Sequence, residues 1–210
     1  MAQLGRLAMP MAASRPAPAK GGVHDVDAAD IRASLDGDGD AYSRLVKRYE
    51  RTIAAQLWRL TRDKVACEEL VQDVFVEAYF GLRKFRHEAP LEHWLRAIAT
   101  RVGYRYLKQL ARERAKPHVS LEDWDHVAAP TPEADPAEAA ALLHALLAQL
   151  PPRDQLVLTL LYFEGCSTKD AAALTGWSPT MVRVQAHRAR KKLKSLAERE
   201  KLLEKVEWPN

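Results

Sequence analysis

Apolar side chains in this chain return every three or four positions and rarely every second one. Tyr42, Leu45, Val46, Tyr49, Ile53, Leu57 and Leu60 keep that spacing, and after a turn at Asp63 so do Leu70, Val71, Val74, Phe75, Ala78 and Tyr79. One side of an α-helix repeats about every 3.6 residues, so each run predicts an amphipathic helix. Asp27 or Asp30 is expected to cap a short first helix, and "DGDGD" (Asp36 to Asp40) breaks it and supplies the next N-cap, because an Asp carboxylate accepts from the orphan amides of a first turn. Pro90 is expected to start a fourth helix at its first turn, where a missing amide costs nothing. Leu91, Trp94, Leu95, Ile98, Ala99, Val102 and Tyr106 would be its buried stripe, and the helical pattern runs on to about Ala115.

Pro117 to Pro136 holds four prolines among scattered acids and reads as a linker. The helical pattern resumes over Ala140 to Leu150, stops at "PP", and continues from Arg153 to Phe163. Ser167 can then cap a short helix over Thr168 to Thr175. Gly176 suits the left-handed turn that ends it, Ser178 can cap the next helix, and Pro179 suits that helix's first position. Helix, glycine turn, helix is a helix-turn-helix layout. Projected at about 100° per residue, Val182, Ala186, Ala189 and Leu193 form one apolar stripe of the last helix, with Trp177 beside its start. Thr180, Arg183, Val184, His187, Arg190 and Lys191 gather on another face, with Ser178 at its start and Arg188 in the same basic run.

Composition agrees. Ala, Leu, Arg and Glu dominate the 210 residues, a helical vocabulary. The fold expected is all-α: two small helical domains joined by a flexible linker, the C-terminal one holding the helix-turn-helix. The boundaries expected are a disordered leader over 1–25, domains over 26–115 and 138–203, a flexible acidic linker over 116–137 and a tail over 204–210. Neither domain is large enough for a generous core, so partner binding is expected to add stability.

Net charge is only +4, but unevenly spread. Thr180 to Lys194 carries six Lys or Arg and no acid, while Pro117 to Glu138 carries six acids and no Lys or Arg. A basic block of that kind points to nucleic acid. The two cysteines, Cys67 and Cys166, share no ligand spacing, so neither a zinc site nor a disulfide framework is expected. No apolar run approaches the roughly 18 residues of a membrane span, and a cytoplasmic protein without membrane insertion is expected. The seven histidines are dispersed, and neither a glycine-rich phosphate loop nor a nucleophile–base pair can be proposed. No enzyme activity, cofactor, metal or small-molecule substrate is therefore expected.

Each basic face has chemistry to match. Arg183 can bond guanine bidentately, Val184 can touch a thymine methyl, and the later cations suit phosphates. On the fourth helix His93, Arg96, Thr100, Tyr104 and Lys108 lie opposite the buried stripe, with Arg101 on the flank; Arg105 falls nearer the stripe and must snorkel outward. Cations tracking a backbone beside an exposed ring suit single-stranded DNA. Tyr104 either stacks on a base there or snorkels.

"LPPRDQLVLTLLYFEGCSTKDAAALTGWSPTMVRVQAHRARKKLK" (Leu150 to Lys194) resembles the promoter-reading C-terminal domain of bacterial sigma factors of the extracytoplasmic-function (ECF) group, in the sigma-70 family. "EELVQDVFVEAYFGLRKFRHEAPLEHWLRAIATR" (Glu68 to Arg101) resembles that group's other domain, which binds polymerase and opens DNA. The resemblance implies that the last helix reads the minus-35 element through Ser178, Thr180, Arg183, Val184, His187, Arg188, Arg190 and Lys191. It implies that the loop from Arg86 to Glu92 accepts an extruded base of the minus-ten element. Phe85, Arg86, His87 and Glu88 would serve there, followed on the helix by His93, Arg96, Thr100, Arg101, Tyr104, Arg105 and Lys108. It also implies that Glu69, Gln72, Asp73 and Glu77 grip a coiled coil of the β′ subunit of core RNA polymerase, with β a further partner and an anti-sigma protein as inhibitor. The acidic linker would lie in the polymerase cleft. A tether of about 20 residues reaches roughly 65–70 Å, beyond one DNA turn of about 34–36 Å, so both promoter elements can be gripped at once. The alternative is a stand-alone helix-turn-helix regulator, for which a ligand pocket or a long dimerisation helix would be wanted.

Overall fold

The computed structural model describes residues 22–116 and 136–199. The described residues are helix and turn throughout, with no strand. The helices are α1 (Gly22–Leu35), α2 (Gly39–Thr61), α3 (Lys64–Gly81), α4 (Leu91–Arg114), α5 (Pro136–Ala148), α6 (Pro152–Leu158), α7 (Thr168–Thr175) and α8 (Pro179–Arg199). A short 3-10 turn, Leu82–Lys84, precedes the loop before α4, and a π turn, Thr159–Phe163, extends α6. The tail, nearly all of the leader and most of the linker lie outside the described residues; helix α5 already begins at Pro136.

The caps follow the local chemistry. The Asp38 carboxylate accepts from the amides of Asp40 and Ala41 at 2.9 and 3.1 Å. Asp63 does the same for α3, accepting from Ala66 at 3.0 Å. Pro90 is the N-cap of α4, one position before the first turn expected of it.

The first helix corrects the sequence reading. It starts at Gly22, and Asp27 and Asp30 are not its caps but buried side chains on its inner face. Arg48 of α2 donates to Asp27 and Asp30 at 2.5 and 2.7 Å, Arg44 to Asp30 at 2.9 Å, and the Tyr49 hydroxyl to Asp27 at 2.5 Å. The Arg48 hydrogen bond holds the Asp30 carboxyl below its usual range. The acids point inward because cations on α2 wait for them, a relation between helices that the pattern of one helix does not contain.

Helix α2 is the spine of the first half, with α1, α3 and α4 packed on it. Ile53, Leu57, Val74, Ile98 and Val102 are at the centre of that core. A Cβ on Gly103 would lie 2.5 Å from Cδ1 of Leu60, so a side chain there would have to push Leu60 of α2 aside. A second core gathers Leu147, Leu156, Leu160, Val182 and Ala189, and Leu60 and Leu107 from the ends of α2 and α4 belong to it too. The two helical groups are thus in contact, with α4 packed on α6 and α7.

Candidate nucleic-acid interface

The helix-turn-helix is built as its sequence demands. Ser167 and Asp170 form a capping box: the Ser167 hydroxyl accepts from the Asp170 amide at 3.1 Å and the Asp170 carboxylate accepts from the Ser167 amide at 3.2 Å. Hydrogen bonding from Ser167 holds the Asp170 carboxyl below its usual range. Gly176 ends α7 at φ +74°, in the left-handed region, and the Ser178 hydroxyl caps α8 by accepting from the Met181 amide at 3.1 Å. Asp154, with no exposed surface, ties α6 to α8 by accepting from Gln185 and, at 2.7 Å, from Lys192.

Val182, Ala186, Ala189 and Leu193 are buried, as the stripe requires. Ser178, Thr180, Arg183, Val184, His187, Arg188, Arg190 and Lys191 are all exposed. Among the described residues none of the four cations in that set has an ion-pair partner; Arg183 reaches only the Thr180 hydroxyl, at 3.5 Å. The result is a row of donors held by its own domain and open to solvent.

The loop before α4 is anchored rather than loose. Phe85 is half-buried between Trp94 and His87, ring centroids 5.2 and 4.7 Å away. His87 adopts φ +57°, turning the chain so that Arg86, His87 and Glu88 stand in solvent. Arg86 and Glu88 pair at 3.9 Å, too exposed a contact to count for much.

On α4 the outward row is only partly outward. His93, Arg101 and Lys108 are exposed, and Lys108 lies over the Tyr104 ring. Arg105 does snorkel to the surface, where it pairs with Glu77. Thr100 is 1 % exposed: its hydroxyl donates to the Arg96 carbonyl at 2.8 Å and accepts from Gln56 at 2.9 Å. Its expected place on an open face is therefore wrong, because Gln56 of α2 reaches across to it. Arg96 and Tyr104 also face protein. The Arg96 guanidinium pairs with Glu164 at 3.0 Å, and the Tyr104 ring meets Trp177 edge-on while its hydroxyl accepts from Arg153 at 3.3 Å.

Helix α3 buries Leu70, Val71, Val74 and Phe75 and exposes Glu69, Gln72 and Asp73; Glu77 is half-buried in its pair with Arg105. Tyr79, in the apolar row, is exposed, edge-on to Tyr42 and Phe80. Sequence reasoning missed three side chains here: Val65, Val76 and Phe80 are exposed, Phe80 by 77 %. Spaced at four, seven, eight, eleven and fifteen residues from Val65, the residues Glu69, Gln72, Asp73, Val76 and Phe80 share one side of α3. Apolar residues in phase with the polar face were the available signal.

Comparison with known proteins places the chain beside one family. The family model described as "Sigma-70 region 2" matches residues 45–113, and "Sigma-70, region 4" matches residues 140–193. The chain is 30% identical over 162 residues to RNA polymerase sigma factor CarQ of Myxococcus xanthus, covering 77% of this chain and 91% of CarQ. It is 27% identical over 179 residues to the ECF RNA polymerase sigma-E factor of Haemophilus influenzae, covering 80% and 94%. Among solved structures it is similar to CnrH in complex with the cytosolic domain of CnrY (TM-score 0.55, 22% identity, 84% of this chain and 97% of CnrH). It is also similar to RpoE of Bartonella quintana in complex with the anti-sigma factor NepR (TM-score 0.52, 21% identity, 75% and 96%).

Proposed function

Because the chain belongs to the sigma-70 family of RNA polymerase sigma factors, within its extracytoplasmic-function group, we propose a division of its work among three surfaces. Helix α8 reads the minus-35 element in the major groove. The Phe85–Glu88 loop and the exposed cations of α4 hold the parted strands of the minus-ten element. The outer side of α3 docks on core RNA polymerase. The protein directs the polymerase to its promoters and helps open the duplex, acting by binding and without catalysis.

The observation that carries this reading is the α8 row: eight exposed side chains on a helix whose other side is fixed in its own domain. An α-helix fits the major groove, and side chains near its start reach base edges while later cations meet phosphates. Of the row, Arg183 suits guanine and Val184 a thymine methyl; Arg188, Arg190 and Lys191 suit phosphates. The α3 surface has the composition of a docking site, with Val65, Val76 and Phe80 as apolar anchors among Glu69, Gln72 and Asp73. An amphipathic basic helix, as in the β′ coiled coil, is its complement. No described helix is long and apolar enough to cross a membrane, and the work lies in the cytoplasm with the polymerase and its template. An anti-sigma protein is part of the same reading, as the RpoE relative has in NepR.

Run-off transcription tests this. Purified chain added to sigma-free core polymerase and a library of candidate promoters should give RNA of defined start on some of them; no defined start on any template refutes the reading.

A further inference from the structure

Helix α1 has no part in the three surfaces above, and it lies ahead of residues 45–113, the segment matched as region 2. It is nevertheless firmly fixed. Asp27 and Asp30 turn inward onto Arg44, Arg48 and Tyr49 of α2, and Ile31 enters the core. That network sets α1 across from the loop before α4, and a cavity of about 540 Å³ opens between them. Asp27, Ala28, Ile31 and Arg32 border it, a spacing that puts them on one side of α1. Ile31, Phe85 and Leu91 give it apolar walls, while Arg32, His87 and Glu88 stand in solvent at its rim. The other flank of the loop borders a second cavity, which takes part of its wall from Glu164, Cys166 and Leu174 of the second helical group. The α1 cleft is built within the first group alone.

A cleft of this size, apolar within and polar at the rim, suits a small planar ligand. Two features narrow the choice. The Phe85 ring, with His87 tilted against it, offers a face on which a base can stack. His87 is held at φ +57°, a backbone that side chains enter at a cost and that concentrates where ligands are gripped. Arg32 has no ion-pair partner among the described residues, and its guanidinium matches a phosphate. We propose that α1 is the second wall of the strand-binding site: the cleft between α1 and the loop receives a base of the parted minus-ten strand, and Arg32 holds the phosphate beside it. The inference rests on the reading of the loop as strand-binding. It goes beyond that reading by giving half of the site to a helix outside region 2. The charge network between α1 and α2 then keeps that wall in place.

Core polymerase loaded with the full-length chain tests it. The probe is a fluorescein-labelled single strand from the minus-ten region of a promoter found by run-off transcription. Omitting one base at a time should cost roughly tenfold in affinity at the position that enters the cleft, the scale of one stacked base. Ala28→Phe, which fills the cleft, should bind the intact strand as weakly and lose nothing further at that position. Arg32→Ala should weaken binding roughly fivefold and lower the slope of log affinity against log salt by about 0.7, the share of one single-strand phosphate. A merely structural Arg32 would leave that slope alone, and Arg32→Lys, which keeps the charge, should restore it. Circular dichroism checks folding, and the exposed Arg32 gives an answer even where Ala28→Phe does not fold. Wild-type affinity and slope in Arg32→Ala, or the wild-type profile of base removal in a folded Ala28→Phe, overturns the proposal. Free nucleotides carry the same chemistry, so the four nucleoside monophosphates are added at the concentration of the strand. They should not displace it; displacement overturns the assignment to DNA. Run-off activity separates the two readings. RNA of defined start with strand binding indifferent to the α1 variants removes the cleft alone, whereas no RNA from any template removes the functional reading.

Discussion

Helices α4 and α8 are both long, basic and striped with apolar residues, yet they present their cations differently. On α8 every predicted contact residue is exposed. On α4 Thr100 is buried, Arg96 is paired with Glu164, and Tyr104 meets Trp177. The cause is the number of neighbours. Among the described residues helix α8 packs mainly on its own group, α5, α6 and α7, whereas α4 packs on α2 and α3 and then again on α6 and α7. A helix with one packed side displays the other; a helix packed twice keeps what lies between. Surface chemistry is therefore set by where a helix sits as much as by its own residues.

The largest test of this contrast attacks the scaffold under the open row. Asp154→Ala strands Gln185 and turns Lys192 out to solvent, and is expected to destabilise the C-terminal group by about 3 kcal/mol. Chemical denaturation should show that loss, with duplex binding falling alongside it. Stability unchanged would mean that α8 is held by its apolar stripe alone. Next comes the row itself. Arg183→Ala should weaken binding to cognate minus-35 duplex by about 2 kcal/mol and relax one base preference. By contrast, Arg96→Ala should scarcely change oligothymidylate binding by the wild-type free chain, since Glu164 already occupies that guanidinium. Equal losses for the two arginines, each on its own DNA, would erase the difference between the helices.

Most of the fold was legible because its signals are local. Asp38, Ser167, Gly176 and Ser178 do in the structure what their types do in any helix end. The stripes of α2, α3 and α8 needed only a period. What escaped was relational. Asp27 and Asp30 look like caps until Arg48 is placed opposite them, and Thr100 looks exposed until Gln56 reaches it. Glu164 gave no sign at all, because its partners lie 105 and 68 residues away in sequence. The α8 row could be read residue by residue, whereas the α4 row required the second helical group to be in place.

The first group also has a display of its own, on α3. Phe80 is exposed, with its ring edge-on to Tyr79, so Phe80→Ala should leave thermal stability within about 0.5 kcal/mol of wild type. Core polymerase capture should nevertheless weaken by about 1–2 kcal/mol, the scale of a central apolar anchor. Undiminished capture would take Phe80 out of the docking surface and leave it to Glu69, Gln72 and Asp73.

The smallest effect belongs to the covered boundary and comes from pH. The His144 ring of α5 lies tilted against Phe163 and meets Arg62 at the end of α2. Burial, with the Arg62 charge adding to it, pushes its pKa down to about 4. In the unfolded chain the ring titrates near its ordinary value of about 6.5. Between those values the unfolded state binds the proton and the folded state does not, so stability falls as pH falls. The contribution is complete above about pH 6.5 and is lost progressively towards pH 4. His144→Gln, which stays neutral, should flatten that part of the thermal-stability profile; a slope equal to wild type would show that the ring is free to protonate in place. Because the proton arrives beside Arg62, acid should loosen the contact between the two helical groups while leaving the solvent-facing row of α8 as it is.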